Sequence, residues 1–503
     1  MYYPELDAEN IWRAEVTDKS LWTSLAPDMK VTTNFIDSKD KTVTDRLLDS
    51  ENIDSSTFGT SPVTDSKDLK GKRDFTTDVE RFGDQAAMVD EIHRRGMKYI
   101  VIVDMNEIAA FVDGSIDGCP ISQYDHPPYT PGFLFVITFS IILYLKYFSA
   151  LKELPSGKRP FIISRATFAG QGHYGGHWTG DNVATFHDLY RSISAILTMN
   201  LAGIPMVGAD ICGFNGNTTY ELCLRWYQLG AFYPFSRSHN SDTILKDQDP
   251  GAFDDYFATS VRDVYMIRYS LLPYLYTLFY ESYKNGTPVA RAMFYEFPSH
   301  KDTYHIDSQF MWGPALLIVP VITKNSRKVE AYLPADSLWY SFYSGLRFKG
   351  KGENITLSAP LNSINLLVKG GTIIPMQEPG LTTSQSIQNE FSLLVSLGFN
   401  GTACGSLYKD DGDSQKSLEA EIHTFITFHV SNKRLQSTIV KASYLFNTML
   451  KNITIFGIDA TPEKVIMNGA SQVFSYNTTL KVLKVPSLNP KVFMMKPFVL
   501  DWM

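Results

Sequence analysis

Cysteine is scarce in this sequence, and its scarcity limits the class of protein to which the chain belongs. Four cysteines in 503 residues are too few for a disulfide scaffold. A long basic run is also missing, and the formal net charge of −7 argues against nucleic acid as a partner. Charged residues make up 20% and hydrophobic residues 44%, which is the balance of a globular chain with large cores.

Long hydrophobic runs are missing as well. Residues 133–145 (FLFVITFSIILYL) are the one candidate for a membrane segment. A span needs about 20 apolar residues, so this run favours a buried helix or strand and argues against a membrane protein.

The signals for cellular location point in two directions. Six Asn-x-Ser/Thr triplets indicate the secretory pathway, either lysosome or extracellular space, and they begin at Asn217, Asn285, Asn354, Asn400, Asn452 and Asn477. The first sixteen residues have neither a basic start nor an apolar segment, so no signal peptide is visible. The two observations agree if the N-terminus is incomplete.

The pattern along the chain predicts four regions. Residues 1–64 are polar and read as a poorly ordered segment. Over 65–307 strands alternate with helices, which predicts an α/β region of parallel strands covered by helices. The predicted strands are 99–103, 161–164 and 206–209. The predicted helices are 84–95, 188–201, one around Trp226, and 261–279 with a bend at Pro273. Short β-branched runs then predict two C-terminal all-β sandwich domains, at 308–390 and 391–503.

Polar residues follow several of the predicted barrel strands. They are Asp104, Arg165, Asp210 and His239, with Trp178 and Asp181 in a nearby glycine-rich loop. One acid after one strand is usually a helix cap, but strand ends in a barrel meet at one mouth, where active sites form. Several in succession therefore predict a polar cluster there. Paired carboxylates at such a mouth suit glycoside hydrolysis, in which one attacks the anomeric carbon and the other protonates the leaving oxygen.

Four segments carry a specific resemblance. Residues 104–107 (DMNE), 165–182, 208–214 and 235–240 resemble, in order, the signature segments of glycoside hydrolase family 31, a family of retaining α-glucosidases. Residues 410–413 (DDGD) also match the family, although a turn in the β region explains them.

The resemblance implies roles for particular residues. Asp104 would be the nucleophile and Asp181 the acid/base, with Glu107 supporting Asp104. The substrate-binding residues would be Asp65, Arg165, Trp178, Asp210 and His239. For Glu107 and Asp210 structural hydrogen bonding is an equal alternative.

The implied activity is retaining exo-hydrolysis of terminal α-1,4-linked glucose from maltose, oligosaccharides, glycogen or starch. An α-glucan is the expected partner, no cofactor or metal is expected, and the oligomeric state stays open. The resemblance also implies a disulfide between Cys212 and Cys223, with Cys119 as a free thiol.

The sequence departs from the family pattern in its first half. The fold implied by the resemblance is a (β/α)₈-type barrel of class α/β, but the predicted strand 99–103 runs directly into Asp104. At least one βα unit of the family is therefore missing, so the expected barrel is incomplete, and Ile102 stands where the family has Trp. Residues 133–153 replace a family loop and helix. A barrel short of strands has unpaired edges, so we expect poor folding and little activity from the chain alone. The alternatives are an inactive relative that binds carbohydrate or serves as a structural subunit, and a lyase or xylosidase that shares the nucleophile.

Overall fold

A computed structural model describes residues 94, 152, 157–165, 167, 170–241 and 247–503 of the chain. The elements discussed below belong to one compact unit, Ile141–Asn240 with Ile244–Met503. The predicted strand 99–103 and the apolar run 133–145 lie outside the described residues. So does the junction at residues 103–104, where a βα unit is predicted to be missing. No helix in the described part of the chain is long and apolar enough to cross a lipid bilayer.

The first part of this unit is a half-barrel of parallel strands. Strands β1, β2 and β3 form one parallel sheet, and β4 pairs in parallel with β5. The backbone N–H of Phe235 donates to Val207 O (3.0 Å), which continues the pairing from β3 to the segment before β5. This arrangement confirms the predicted barrel class. The bounds are β1 Ile163–Ser164, β2 Gly176–Trp178, β3 Val207–Gly208, β4 Asp210–Ile211 and β5 Arg237–Ser238.

Two helices cover this half-barrel, α1 at Phe186–Leu201 and α2 at Tyr220–Gly230. Each begins at a threonine whose side chain accepts from a backbone N–H in the first turn, Thr185 from Asp188 and Thr219 from Leu222. The apolar stripe predicted over 188–201 is buried, and both predicted helices are confirmed.

Asn200, at the end of the α1 stripe, is buried and polar. Its Oδ1 accepts from the backbone N–H groups of Val289 (3.0 Å) and Ala290 (2.9 Å), and its Nδ2 donates to Ile196 O. The side chain therefore joins the end of α1 to the first strand of the β region.

The predicted helix 261–279 is observed as two helices, α3 at Asp255–Ser270 and α4 at Leu272–Asn285. Pro273 lies in the first turn of α4, a position where its missing N–H would have no helical partner. Proline therefore begins a new helix here instead of bending one continuous helix.

The β region begins with a six-stranded sheet in the order β11-β10-β13-β8-β7-β6 and a separate pair, β12-β9. The bounds are β6 Ala290–Arg291, β7 Phe310–Trp312, β8 Leu316–Val319, β9 Lys328–Leu333, β10 Leu338–Ser341, β11 Arg347–Lys349, β12 Glu353–Ser358 and β13 Asn365–Lys369, with the short helix α5 at Met293–Glu296. Single 3₁₀ turns occur at Gln171–His173, Pro250–Ala252 and Lys301–His305.

A larger sheet follows in the order β21-β20-β25-β18-β17-β16-β14-β15-β19-β23-β22, with β24 paired to β19. Its strands are β14 Thr372–Gln377, β15 Phe391–Ser396, β16 Ala403–Lys409, β17 Thr424–Ser431, β18 Arg434–Ala442, β19 Met449–Phe456, β20 Val465–Met467, β21 Ala470–Ser471, β22 Ser475–Asn477, β23 Val482–Val485, β24 Val492–Phe493 and β25 Val499–Trp502, with helices α6 Thr383–Ser386 and α7 Gln415–Glu419. Strand β14 precedes residue 390 and yet pairs with β15, so strand pairing crosses the predicted domain boundary, which stays a prediction.

The inner strands of the six-stranded sheet, such as β8, are buried on both faces, which explains their continuous apolar runs. In β8, Leu316 and Ile318 pack with the helices of the half-barrel, whereas Leu317 and Val319 pack against Trp339 in a second cluster. Successive side chains of a strand point to opposite faces, so two cores meet at this one sheet. The half-barrel and the sheet therefore share a core.

A buried carboxylate joins the chain before β1 to the β region. The side chain of Asp410 has no solvent exposure. Its carboxylate accepts hydrogen bonds from Nη2 of Arg159 (2.5 Å), from the hydroxyls of Tyr276 (2.7 Å) and Tyr408 (2.8 Å), and from the backbone N–H of Gly412 (2.8 Å). Burial alone would raise the pKa of Asp410, but the hydrogen bonds from Tyr276, Arg159 and Tyr408 outweigh it and hold that pKa below its usual range. We call this group the Asp410 cluster.

Replacing Asp410 by asparagine should destabilise the unit, because Arg159 keeps its charge and loses its buried carboxylate partner. A second carboxylate, Asp411, lies 3.8 Å from Arg159 Nη2 and is partly exposed. Breaking a buried pair in this way costs about 3 kcal/mol, measurable by urea denaturation at neutral pH. Since the folded pKa is lowered, the stabilisation is present above about pH 4, the ordinary carboxyl range, and is lost as pH falls through the folded pKa. The variant should lack this acid-dependent loss.

Asp413→Asn is the matched control. Its carboxylate pairs with Lys158 at 2.8 Å, but both side chains are about half exposed (55% and 50%). Loss of such a surface pair changes stability by less than about 1 kcal/mol. Equal destabilisation by the two variants would contradict the role given to Asp410.

Candidate active site

The structure brings five of the predicted site residues to the strand ends of the half-barrel. Arg165 follows β1, Trp178 ends β2, Asp210 begins β4, and His239 follows β5, with Asp181 in the loop after β2. Three others, Asp65, Asp104 and Glu107, lie outside the described residues. The described set forms one edge of the sheet, as expected from the common direction of parallel strands.

Asp181 is an accessible carboxylate at this edge. Its side chain is 49% exposed, and Oδ1 lies 3.5 Å from Nη1 of Arg165. Gly180 adopts φ +80°, and a Cβ added to it would lie 3.0 Å from Cδ of Arg165. The glycine therefore permits both the turn and the close approach of the arginine to Asp181.

Asp210 is placed differently, because its side chain is only 1% exposed. Its Oδ1 accepts from Nε (3.1 Å) and Nη2 (2.5 Å) of Arg237. The same two residues are also register partners in the pairing of β4 with β5. Among the described residues, Oδ2 of Asp210 has no hydrogen-bond partner. The burial and the ion pair favour the structural alternative for Asp210, which the sequence had left open beside a substrate contact.

Arg237 also lies against the predicted aromatic wall. Its guanidinium carbon is 5.4 Å from the ring centre of Trp178 and 5.8 Å from that of Phe235. A cation over an aromatic face is attracted to it, so Arg237 fixes the Trp178 ring from one side while Asp210 holds the arginine from the other.

His239 is packed against Phe214, with ring centres 5.3 Å apart. Burial, assisted by the charge of Arg237, lowers the pKa of His239 to about 3, so its imidazole is neutral at pH values well above that. Its Nδ1 is buried and has no partner among the described residues. A neutral imidazole has one donor and one acceptor nitrogen, which suits hydrogen bonding to a hydroxyl group.

Burial raises the pKa of Asp210 to about 6, and the negative charge of Asp181 adds to the rise, while the charge and hydrogen bonds of Arg237 oppose it. Among the described residues the carboxylate has a single cationic partner, and that partner contacts one of its two oxygens. The pairing therefore only partly offsets the loss of water around Asp210.

The loop after β2 is held by Asn182. Its Nδ2 donates to Asp210 O (2.9 Å), and its Oδ1 accepts from Phe214 N (2.9 Å). Asn215 Nδ2 donates to the backbone oxygen of Asp181 (3.4 Å). The segment that carries Asp181 is thus tied to the segment after β4.

The predicted disulfide between Cys212 and Cys223 is confirmed, with Cα atoms 4.5 Å apart. It joins the residue after β4 to the first turn of α2, and both cysteines are fully buried. Cys404 is an exposed free cysteine, and Cys119 lies outside the described residues.

Two residues of this site had been given no role from the sequence. Arg237 and Asn182 both stand in the matched segments but were not singled out. A buried acid at a strand end requires a partner, and that requirement was the available signal for Arg237. No pattern in the sequence indicated the two contacts of Asn182.

The described fold and site define a (β/α)-barrel protein with an acid, an arginine and an aromatic wall at the strand ends. Residues 103–278 match the glycosyl hydrolases family 31 TIM-barrel domain, and residues 286–374 match the glycosyl hydrolase family 31 C-terminal domain. The chain belongs to glycoside hydrolase family 31.

Individual relatives agree with this assignment. The chain is 39% identical over 456 residues to lysosomal alpha-glucosidase of Rattus norvegicus, covering 82% of this chain and 47% of the relative. It is 38% identical over 432 residues to intestinal sucrase-isomaltase of Homo sapiens, covering 80% of this chain and 23% of the relative. The chain therefore spans about half the length of the rat relative and less of the human one.

Two solved structures are similar to this chain in fold. A crystal structure of the glucosidase II alpha subunit superposes with a TM-score of 0.67 at 29% identity, covering 72% of this chain and 42% of that chain. The Flavobacterium johnsoniae GH31 dextranase gives a TM-score of 0.66 at 25% identity, covering 73% of this chain and 49% of that chain.

Removing the disulfide by a Cys212→Ser, Cys223→Ser double substitution should lower stability without changing the fold. The sequence separation of 11 predicts a loss of about 3 kcal/mol under the chain-entropy model. The oxidised wild type should therefore unfold at a higher urea concentration than the variant, and a reducing agent should lower only the wild-type midpoint. A reducing agent that lowered both midpoints equally would contradict the assignment.

The raised pKa of Asp210 predicts a pH dependence opposite in sign to that of Asp410. Because the folded pKa of about 6 exceeds the ordinary value of about 3.9, the native state binds more protons between these values. Stability contributed by this group is full below about pH 4 and falls as pH rises to about 6. Asp210→Asn should remove this component from urea midpoints measured across that range. The exposed Asp263→Asn is the control, and equal pH slopes in wild type and Asp210→Asn would contradict the prediction.

Proposed function

We propose that this protein is a retaining α-glucosidase that releases terminal α-1,4-linked glucose from maltose, oligosaccharides, glycogen or starch. The observation that carries the proposal is Asp181, a half-exposed carboxylate beside Arg165 at the strand ends of a family 31 barrel. The relatives described as lysosomal alpha-glucosidase and sucrase-isomaltase support α-linked glucose as the substrate.

In the proposed reaction, Asp104 attacks the anomeric carbon while Asp181 donates a proton to the leaving oxygen. Water then attacks the glucosyl–Asp104 ester and passes its proton to Asp181, which restores both groups. A retaining site holds its two carboxyl groups about 5 Å apart, and we expect a separation of about 5–7 Å between Asp104 and Asp181. The exposure of Asp181 agrees with its role, because the group has to reach the leaving oxygen and then water.

The remaining side chains would bind the sugar. Arg165 offers a planar donor fork to hydroxyl groups, and the neutral imidazole of His239 offers a hydrogen bond without charge. Trp178, held by Arg237, would form an apolar wall against the ring. Glu107 and Asp65 are further proposed members, Glu107 in support of Asp104 and Asp65 as a hydroxyl ligand.

The proposed location is the secretory pathway, either lysosome or extracellular space. The disulfide between Cys212 and Cys223 supports it, because disulfides persist in oxidising compartments. The relative described as a lysosomal alpha-glucosidase supports the first destination.

Azide rescue of two alanine variants distinguishes the two carboxylates. With Asp181→Ala and an aryl α-glucoside whose leaving group needs no proton, azide should attack the glucosyl–Asp104 ester and give α-glucosyl azide. With Asp104→Ala, azide should displace the leaving group directly and give β-glucosyl azide. Turnover of maltose by Asp181→Ala should fall about 10²–10⁴-fold, as expected for loss of a general acid.

The products are to be identified by the anomeric proton coupling in NMR spectra. Asp255→Asn, an exposed acid in the first turn of α3, is the matched control and should retain wild-type turnover. β-Glucosyl azide from Asp181→Ala would overturn the assignment of the two roles. Carbohydrate binding by the wild type without any turnover would overturn the proposed activity and would agree with the inactive relative that the missing βα unit favours. Wild-type turnover would instead contradict the expectation of little activity from this chain.

A further inference from the structure

Two of the six Asn-x-Thr/Ser triplets form the same hydrogen-bonded turn. Oδ1 of Asn400 accepts from the backbone N–H (3.1 Å) and the hydroxyl (2.7 Å) of Thr402. Oδ1 of Asn477 accepts from the backbone N–H groups of Thr479 (3.0 Å) and Leu480 (2.8 Å). Both asparagines are exposed. The side-chain oxygen is thus occupied by the chain itself in both turns.

The amide nitrogens of these two side chains differ from the oxygens in their contacts. Among the described residues, Nδ2 of Asn400 and Nδ2 of Asn477 donate no hydrogen bond. A substituent on Nδ2 would therefore leave both turns intact, because each turn depends on Oδ1 alone.

We propose that Asn400 and Asn477 carry N-linked oligosaccharides in the folded protein. Nδ2 forms a bond to C1 of the first sugar of a lipid diphosphate-linked oligosaccharide, and the bond between C1 and the diphosphate oxygen breaks. The diphosphate leaves with the bonding electron pair, and Nδ2 gives up one proton. The asparagine Oδ1 remains an acceptor, so the folded turn is the same before and after transfer.

The surroundings of both turns leave room for a glycan. Asn400 lies in the connection between β15 and β16, next to Phe399, whose side chain is 61% exposed. Asn477 ends β22, which is the last strand in the order of the larger sheet and, among the described strands, pairs with β23 alone. A turn and an edge strand each have solvent on one side, so a bulky substituent displaces no packed element.

Asn452 provides the internal contrast. It lies in β19, which has β15 on one side and β23 on the other. Because successive side chains of a strand point to opposite faces, the side chain of Asn452 shares a face with Thr454 and Phe456. Phe456 is only 3% exposed and belongs to the core shared by the half-barrel and the six-stranded sheet. A glycan on Asn452 would compete with this packing, so the triplet at Asn452 is not an acceptor in the folded protein.

The test uses the full chain with a cleavable secretion leader and a C-terminal tag that carries one acceptor triplet. Enzymatic release of glycans in heavy-oxygen water converts each occupied asparagine into a labelled aspartate that peptide mass spectrometry locates. The expected result is label at Asn400, Asn477 and the tag, with Asn452 unlabelled. Label on the tag with Asn400 or Asn477 mostly unlabelled would overturn the proposal, as would label at Asn452 in folded, secreted chain.

Single variants separate the glycan from the turn. Asn400→Asp and Asn477→Asp keep an acceptor oxygen for the turn, and each should remove one glycan while leaving the thermal midpoint of the deglycosylated protein unchanged. Thr479→Ala removes the triplet but keeps Asn477 and the hydrogen bond that its Oδ1 accepts from the backbone N–H of residue 479. An unchanged number of glycans in any of the three would overturn the proposal. None of these outcomes depends on glucosidase activity, so the two proposals fail separately.

Discussion

The geometry of the candidate site depends on one buried ion pair. Asp210 and Arg237 face each other as register partners of two parallel strands, and their side chains join where their backbones already pair. Strands of two or three residues have few ladder hydrogen bonds, so side-chain contacts have to fix their ends. Arg237 reaches Trp178 across the same edge, and Asn182 returns to the backbone of Asp210. The position of Asp181 follows from these contacts, because its loop is anchored on both sides.

Two buried aspartates have pKa values shifted in opposite directions, and they differ in the number of hydrogen-bond donors around them. The two carboxylate oxygens of Asp410 together accept hydrogen bonds from an arginine, two tyrosine hydroxyls and a backbone N–H, and the pKa of Asp410 is lowered. Asp210 receives Arg237 on one oxygen, and its pKa is raised. Neither side chain is appreciably exposed to solvent, but Asp210 lies deeper in the protein than Asp410. A greater loss of water and fewer donors to replace it therefore both raise the pKa of Asp210.

The sequence predicted features that depend on local chemistry. The apolar stripe of α1 was visible in the spacing of its residues, and the strand ends that carry Arg165 and Asp210 were visible because buried strands stop at polar residues. The pairing of Cys212 with Cys223 followed from a family resemblance. Each of these depends on residues close in sequence or on a matched segment.

Features that depend on distant partners could not be predicted in the same way. Asp410 looked like part of a turn, since Arg159 and Tyr276 are 251 and 134 positions away in the sequence. The division of the predicted helix at Leu271 depended on the position of Pro273 in a new first turn, which periodicity alone does not distinguish from a kink. The partner of Asp210 required the strand register, which relates residues 27 positions apart. The sequence of a single chain contains no direct signal for such pairs.

The Asp410 cluster has a consequence for the order in which a growing chain acquires its structure. Arg159 leaves the ribosome 251 residues before its carboxylate partner. At about 5–20 residues per second, this separation corresponds to a delay of roughly ten to fifty seconds. During that interval the segment before β1 has no anchor at the β region, and the guanidinium of Arg159 remains in water. The unit can therefore complete its fold only after its last third has been synthesised. A pause in translation before Asp410 would prolong the time during which the half-barrel is exposed to chaperones and to aggregation.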